Sequence, residues 1–200
     1  AVIDSGIAYD HPDLAPNIWT NLREIAGNGV DDDGNGFVDD VHGWDFLMND
    51  SDPMDPIDLN PGGNPGHGTH VAGIIAGTGN NGTGVTGVMW TARLMALKAG
   101  GVNGALSTAA IVSAIHYGIA NGARVINASF SAPDCSQALY DAVSAANAAG
   151  VILVAAAGNE ASDNDNLPSF PANFGSPSAC DGQQKAALPN VITVAATDES

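Results

Sequence analysis

Cations are nearly absent from this sequence. Lys and Arg together number 5 against 22 Asp and Glu, a formal net charge of −17 over 200 residues. A nucleic-acid binder needs Lys and Arg along its phosphate track, and an anionic membrane surface makes the same demand. Neither nucleic acid nor membrane is therefore expected as a partner. Aromatic residues are sparse too, at 6%, so a core has to be carried by Ala, Val and Ile. No apolar run reaches the roughly 18 residues that would cross a bilayer. There are 2 cysteines, Cys135 and Cys180, beside Pro, Ser and Asp in loop-like sequence. They are either two separate buried thiols or one disulfide, and two Cys alone do not decide the redox compartment. The chain opens on Ala1-Val2-Ile3-Asp4, as though inside a strand, without an initiator Met or a signal peptide. A processed or excised piece is the expectation.

What is present is small and apolar: 25 Gly, and a hydrophobic fraction of 44%. The length suits one domain with a sizeable core. The acids are unevenly placed. Fourteen lie in residues 1–60, where Arg23 is the only base; none lies between His67 and Pro133; eight follow from Asp134 onward. The middle therefore reads as interior. So lopsided a charge strains a compact state unless cations neutralise part of it.

Val2-Ile3-Asp4 reads as the end of a buried strand. Residues 11–64 are rich in Asp, Asn, Gly and Pro and read as long loops with short helical or extended pieces, a length unusual unless functional or metal-tied. Residues 67–78 read as a helix, with Val71, Ile74, Ile75 and Thr78 on one face. Residues 93–98 are a strand. A helix capped by Ser107 or Thr108 runs to about Ala120, with Ile111, Ile115 and Ile119 aligned. Residues 125–129 are a short strand, 136–149 an Ala-rich helix stopped by Gly150, 151–157 a strand without polar residues and 191–196 another. Strands alternating with helices of this length argue for a parallel α/β sheet, covered on both faces. No internal repeat or second domain is visible.

Parallel sheets present functional groups at the carboxyl ends of their strands. Asp4, Ser129 and Asn159 occupy such ends. His67 opens a helix between two glycines, in Gly66-His67-Gly68-Thr69-His70-Val71-Ala72-Gly73. His70 reads as a packed helical histidine, because no Glu or Cys nearby completes a metal site with it. A dinucleotide fold is disfavoured, since no Gly-x-Gly-x-x-Gly follows the first strand.

Three segments, Asp4-Ser5-Gly6, the Gly66 to Gly73 stretch and Ala156-Ala157-Gly158-Asn159, resemble the signatures of the subtilisin-like serine peptidases, the subtilases, in the family's order. Asp10-His11-Pro12-Asp13-Leu14 and Arg124-Val125-Ile126-Asn127-Ala128-Ser129 match as well. The resemblance implies a three-layer αβα fold with a mostly parallel sheet, truncated at the C-terminal side. Residues 1–200 would be a partial catalytic domain. It implies that Asp4 is the aspartate and His67 the general base of an Asp-His-Ser mechanism, with Asn159 donating to the oxyanion. The family's nucleophile follows a Gly-Thr-Ser segment, which does not occur in these 200 residues. Ser200 lies in Asp198-Glu199-Ser200, outside that motif, and the chain alone is expected to be inactive.

The resemblance further implies substrate binding by Asn103-Gly104-Ala105 and Ser129-Phe130-Ser131, which would flank an extended peptide. Ala156, Gly158 and Phe170 would line the pocket for the side chain before the scissile bond, and Ser131 stands where Gly is common. Implied partners are extended polypeptide substrates, the C-terminal remainder of the domain, a propeptide or a protein inhibitor. A secreted, extracellular setting goes with them.

Residues 31–40 point to a metal on their own. With Asp31 as position 1, Asp33, Asn35, the Phe37 carbonyl and Asp39 fall at positions 3, 5, 7 and 9 of an EF-hand-like loop, with Gly36 at the sharp turn. His42 stands where the closing Glu is expected, so Asp40 or Asp45 would close the site. Five Asp in ten residues repel one another without a counter-charge. The expected ion is Ca2+. A second Ca2+ site follows only from the resemblance: Asp13 and Asn81 by side chain, and Gly79, Thr83 and Val85 by backbone oxygen. The rival to a peptidase is a non-catalytic calcium-binding or protein-interaction domain derived from one.

Overall fold

The structure, a computed structural model, describes residues 1–197. It divides into two compact units, Ala1–Ala114 and Ile115–Ser200.

The first unit holds β1 (Val2–Asp4), β2 (Gly43–Asp45), α1 (His67–Ala76), β3 (Ala96–Lys98) and the start of α2 (Thr108–Ala120). Its strands are parallel in the order β2-β3-β1 and so in register that Asp45, Lys98 and Asp4 form one row at the carboxyl ends. β2 was not anticipated; it fits because Gly43 brings its backbone so close to the Ala96 carbonyl that a Cβ would overlap it. β3 begins three residues later than expected, matching the three-residue strands beside it.

Helix α1 ends at Ala76, not 78. The amides of Val88 and Met89 take the Ile74 and Ile75 carbonyls, and Thr78 donates instead to the Asp13 carbonyl at 2.9 Å. Its buried face is Gly68, Ala72, Gly73 and Ala76, whereas Ile74 is exposed. Small residues win that face because the helix must approach β1 closely: a Cβ on Gly68 would collide with the Gly6 carbonyl and lie 3.0 Å from the Asp4 Cβ. Around them Val2, Ile7, Leu14, Ile18, Leu94 and Ala96 complete a core, each buried side chain stabilising by about 1.5–3 kcal/mol for the larger ones.

The second unit holds β4 (Val125–Ala128), α3 (Gln137–Ala148), β5 (Ile152–Ala156), β6 (Ser178–Cys180), β7 (Gln183–Lys185) and β8 (Val191–Val194). β4, β5 and β8 are parallel neighbours in that order. Ser136 caps α3 by accepting the Leu139 amide at 3.3 Å, and the helix buries Leu139, Ala142, Val143 and Ala146. The sheet was expected to be covered on both faces. Here Ile126, Ala128, Leu153 and Ala155 are buried, while Val125, Ile152, Ile192 and Val194 on the other face are 39–51% exposed. β6 and β7 form an antiparallel hairpin around Asp181-Gly182, both with positive φ. Cys180 on this hairpin is bonded to Cys135, 5.2 Å away between Cα atoms, which resolves the two cysteine alternatives as a disulfide.

Candidate active site

Asp4 ends β1 and is 2% exposed. Its Oδ1 accepts the Ser5 amide at 2.7 Å and lies 2.8 Å from His67 Nδ1. A carboxylate can only accept, so Nδ1 carries the proton and Nε2 is left as a base. The His67 side chain is 51% exposed, against 3% for Asp4. A buried acid and an accessible imidazole are what a proton-transferring pair needs. Asp4 Oδ2 is buried with no protein partner among the described residues.

Sequence reasoning missed the residues that hold His67 in place. All four leading amides of α1 need partners, and each finds a side chain. Asn64 Oδ1 accepts from Gly66 and His67, both at 2.9 Å. Ser5 Oγ accepts from Gly68 at 3.0 Å, and Asp55 Oδ2 from Thr69 at 3.0 Å. Asp55 and Asn64 are buried. One Asp among fourteen acids in residues 1–60 carries no sequence signal of its own. Asn64, three residues before the histidine, could have been noticed as a capping residue.

Asn103, Gly104 and Ala105 form an exposed turn of the first unit, with Gly104 donating to the Gly101 carbonyl at 2.9 Å. His70, expected to be packed, is exposed and lines a cleft of about 420 Å³ with Leu14, Ile74, Val85 and Val88.

Asn159 belongs to the second unit and is exposed just beyond β5. Its loop is well tied: the Asn159 amide donates to Glu160 Oε2 at 2.8 Å and Asn164 Nδ2 to the Ala157 carbonyl at 3.0 Å. Gly158 adopts φ +109°, and a Cβ there would meet Glu160 Oε2 at 2.6 Å. A cavity of about 290 Å³ is lined by Gly158, Asn159, Glu160 and Ala195, among others. Neither Ala156 nor Phe170 lines it. Ala156 is half-buried, and Phe170 is buried against Phe174 with ring centroids 5.0 Å apart. Phe170 therefore serves the core here, where its ring area is worth more than at a rim. Ser129 and Phe130 are half-buried and Ser131 exposed; Ser129 Oγ accepts from Asn127 at 2.9 Å.

The acidic loop gathers differently from an EF-hand. Glu24, Asp31 and Asp33 bring carboxylate oxygens within 4.8 Å of one another, and Glu24 was not among the expected ligands. Asp39 turns away to accept the Asn28 and Gly29 amides at 3.1 and 2.9 Å. Asp40 accepts from the Asn21 and Asn35 side chains. Asp45 does not close the loop, because it pairs with Lys98 at 2.7 Å. The Phe37 amide donates to Asn35 Oδ1 at 2.8 Å. The Glu24–Asp31–Asp33 cluster can coordinate a cation, and three carboxylates suit a hard one.

Loop 79–85 wraps Asp13. Asn81 Nδ2 donates to Asp13 Oδ1 at 2.7 Å and the Val85 amide to Oδ2 at 3.0 Å, while the Thr83 amide donates to Asn81 Oδ1 at 3.1 Å. The hydrogen bond from Asn81, then that from Val85, holds the Asp13 carboxyl below the usual carboxylate range. Gly79 lies under the Trp90 ring, where a Cβ would overlap it.

A parallel α/β scaffold here carries a strand-end aspartate bonded to a helix-start histidine, an arrangement able to accept and return a proton. The comparisons narrow the class. Residues 1–200 match the Subtilase family, peptidase S8. Subtilisin-like protease 1 of Plasmodium vivax is 41% identical over 84% of this chain and 25% of its own length. Thermitase of Thermoactinomyces vulgaris is 34% identical over 100% of this chain and 55% of its own. The crystal structure of a cold-adapted subtilisin-like serine proteinase superposes with a TM-score of 0.57 at 28% identity, over 88% of this chain and 50% of that one. The chain belongs to the subtilase family and has its largely parallel α/β fold. It spans about a quarter of the length of the first curated relatives it matches.

Proposed function

We propose that this chain supplies the acid–base side of a serine endopeptidase. The carrying observation is the 2.8 Å contact between His67 Nδ1 and buried Asp4. Asp4 holds the imidazole in the tautomer that leaves Nε2 free and stabilises the imidazolium formed during reaction. His67 takes the proton of a serine hydroxyl as that oxygen attacks the scissile carbonyl carbon, then returns it to the departing amine. The serine is expected outside these 200 residues. The Asn159 side-chain amide donates to the oxyanion of the tetrahedral intermediate, a contribution of about 3–4 kcal/mol. Asn103-Gly104-Ala105 in the first unit and Ser129-Phe130-Ser131 in the second are each proposed to bind extended polypeptide.

The C-terminal remainder of the domain is the proposed structural partner. The apolar row Val125, Ile152, Ile192 and Val194 supports it, since parallel strands are normally covered on both faces. Ca2+ is the proposed ion for Glu24, Asp31 and Asp33, where it would offset the carboxylate repulsion that the 2.9 Å Arg23–Asp33 pair leaves, and for Asp13 with loop 79–85. A secreted setting is supported by the Cys135–Cys180 disulfide, which persists in oxidising compartments.

The test is labelling of the full-length product that contains this chain with a serine-directed phosphonate. An adduct that disappears when the protein is denatured first is the expected result. Intact, folded protein without an adduct overturns the reading.

A further inference from the structure

We propose that Asp55 is a positioning residue for His67, acting through the amide of Asn64. This rests on His67 being the base proposed above.

Asp55 is 4% exposed, and no ion pair of the described residues includes it. It is surrounded by donors instead. Oδ1 accepts from Asn64 Nδ2 at 2.6 Å; Oδ2 accepts from the Thr69 amide at 3.0 Å and the Thr69 hydroxyl at 2.7 Å. Three convergent donors require a group that only accepts, and an ionised carboxylate is the one such side chain. Thr69 Oγ1 also accepts from the Ala8 amide at 2.9 Å, which ties the same hydroxyl to the segment after β1.

The polarity of this cluster is handed on. With Asn64 Nδ2 fixed on the carboxylate, Asn64 Oδ1 faces the Gly66 and His67 amides. An Asn64 flipped by 180° would set its NH2 against those two N–H groups. Asp55 therefore dictates which way Asn64 points, and Asn64 dictates where the backbone of His67 sits. Through Thr69 the same carboxylate also holds the third residue of α1. Its charge lies at the positive end of the helix, which offsets part of the cost of burying it without a cation.

An Asn at position 55 cannot satisfy the cluster. Turned one way, its NH2 meets Asn64 Nδ2; turned the other, it meets the Thr69 amide. The chain keeps nearly the same shape, yet the orientation of Asn64 is no longer specified. A backbone shift of the base by about 1 Å costs on the order of a hundredfold in rate.

The experiment compares Asp55→Asn, Asn64→Ala and the double variant in the full-length product, by peptide hydrolysis and by proton NMR of the His67 Nδ1–H, assigned by its loss in His67→Ala. Asp55→Asn is expected to lower kcat by about tenfold to a hundredfold with KM changed less than about twofold. The double variant is expected to lose less than the product of the two single losses, the non-additivity of residues acting largely in series. The Nδ1–H resonance is expected to shift or broaden in Asp55→Asn. Full kcat with an unmoved resonance in Asp55→Asn overturns the proposal, and so do additive losses. Should Asp55→Asn not fold, Asn64→Ala carries the test: a shifted or broadened resonance with lowered kcat supports the proposal, and an unmoved resonance with full kcat overturns it. Should no form hydrolyse peptide, the function proposed above fails, while the resonance still decides whether Asp55 positions His67.

Discussion

The two units of this chain bury different things. The first carries fourteen acids against three bases, the second eight against two. More telling is where they go. Asp4, Asp13, Asp40, Asp45 and Asp55 are all buried in the first unit, and no acid is buried among the described residues of the second. Each buried aspartate has donors: Ser5 and His67, Asn81 and Val85, Asn21 and Asn35, Lys98 with the Leu47 and Met48 amides, Asn64 and Thr69. The long loops of residues 11–64 are thus held by polar contacts, each worth about 1.5–3 kcal/mol when a charge accepts. The second unit relies on Ala, Leu, Val and Phe and on one covalent link. Chemistry explains the division. On the function proposed above, a unit that presents a carboxylate to a histidine has to solve the burial of charge, and a unit that offers an exposed amide does not.

The largest expected effect breaks the chemistry proposed for the first unit. In the full-length product, His67→Ala should cost about 10⁴-fold or more in kcat/KM, and Asp4→Asn a similar factor, because the Asn amide favours the wrong imidazole tautomer. Steady-state kinetics beside a melting curve would check this; a variant retaining more than a tenth of the activity counts against the assignment.

Next comes the link in the second unit. Cys135 and Cys180 are 45 residues apart, and closing such a loop lowers unfolded-chain entropy by about 4 kcal/mol at most in the chain-entropy model. Replacing both by Ser should raise hydrogen exchange across α3 and the β6-β7 hairpin while leaving α1 protected. Uniform loss of protection in both units would erase the contrast drawn above. A smaller effect is expected from chelation. Removing a cation present at a hundredfold its dissociation constant costs about 2.7 kcal/mol, and increased exchange should concentrate in residues 24–40 and 79–85. Unchanged exchange and melting in excess chelator would argue against a structural ion.

Legibility followed the same division. In the second unit, β4, α3, β5 and β8 were visible because apolar runs and an Ala-rich helix carry their own period, though ends moved by one or two residues. The hairpin was missed although Asp181-Gly182 is a strong turn signal, since its strands contain Gln and Lys, not β-formers. In the first unit the Asp4 and His67 motifs stood out, whereas β2 did not: a three-residue strand opened by glycine has no period to detect. The carboxylate clusters were least readable. Which of Asp31, Asp39 and Asp45 share a neighbourhood is decided by tertiary contacts, and so Glu24 was overlooked and Asp45 stood open as an alternative to Asp40 until its pairing with Lys98 removed it.

The smallest effect sharpens the claim that buried carboxylates stabilise the first unit as ionised acceptors. Asp13 is held below the ordinary carboxylate value, chiefly by Asn81 and then by Val85. A group whose folded value is depressed stabilises the fold fully above its unfolded value, about 3.9 for Asp, and that contribution is lost as pH falls through the folded value. An Asn at this position accepts at only one of its two ends, so its NH2 meets either the Asn81 donor or the Val85 donor. Asp13→Asn should therefore be less stable than the parent at pH 6 in chelator. The gap should narrow as the parent is titrated below about pH 4, where the unfolded chain takes up a proton that folded Asp13 still resists. Denaturant midpoints measured from pH 6 down to pH 3 would check it. A gap constant across that range would mean that Asp13 stabilises by shape alone, and that its charge is there for an ion.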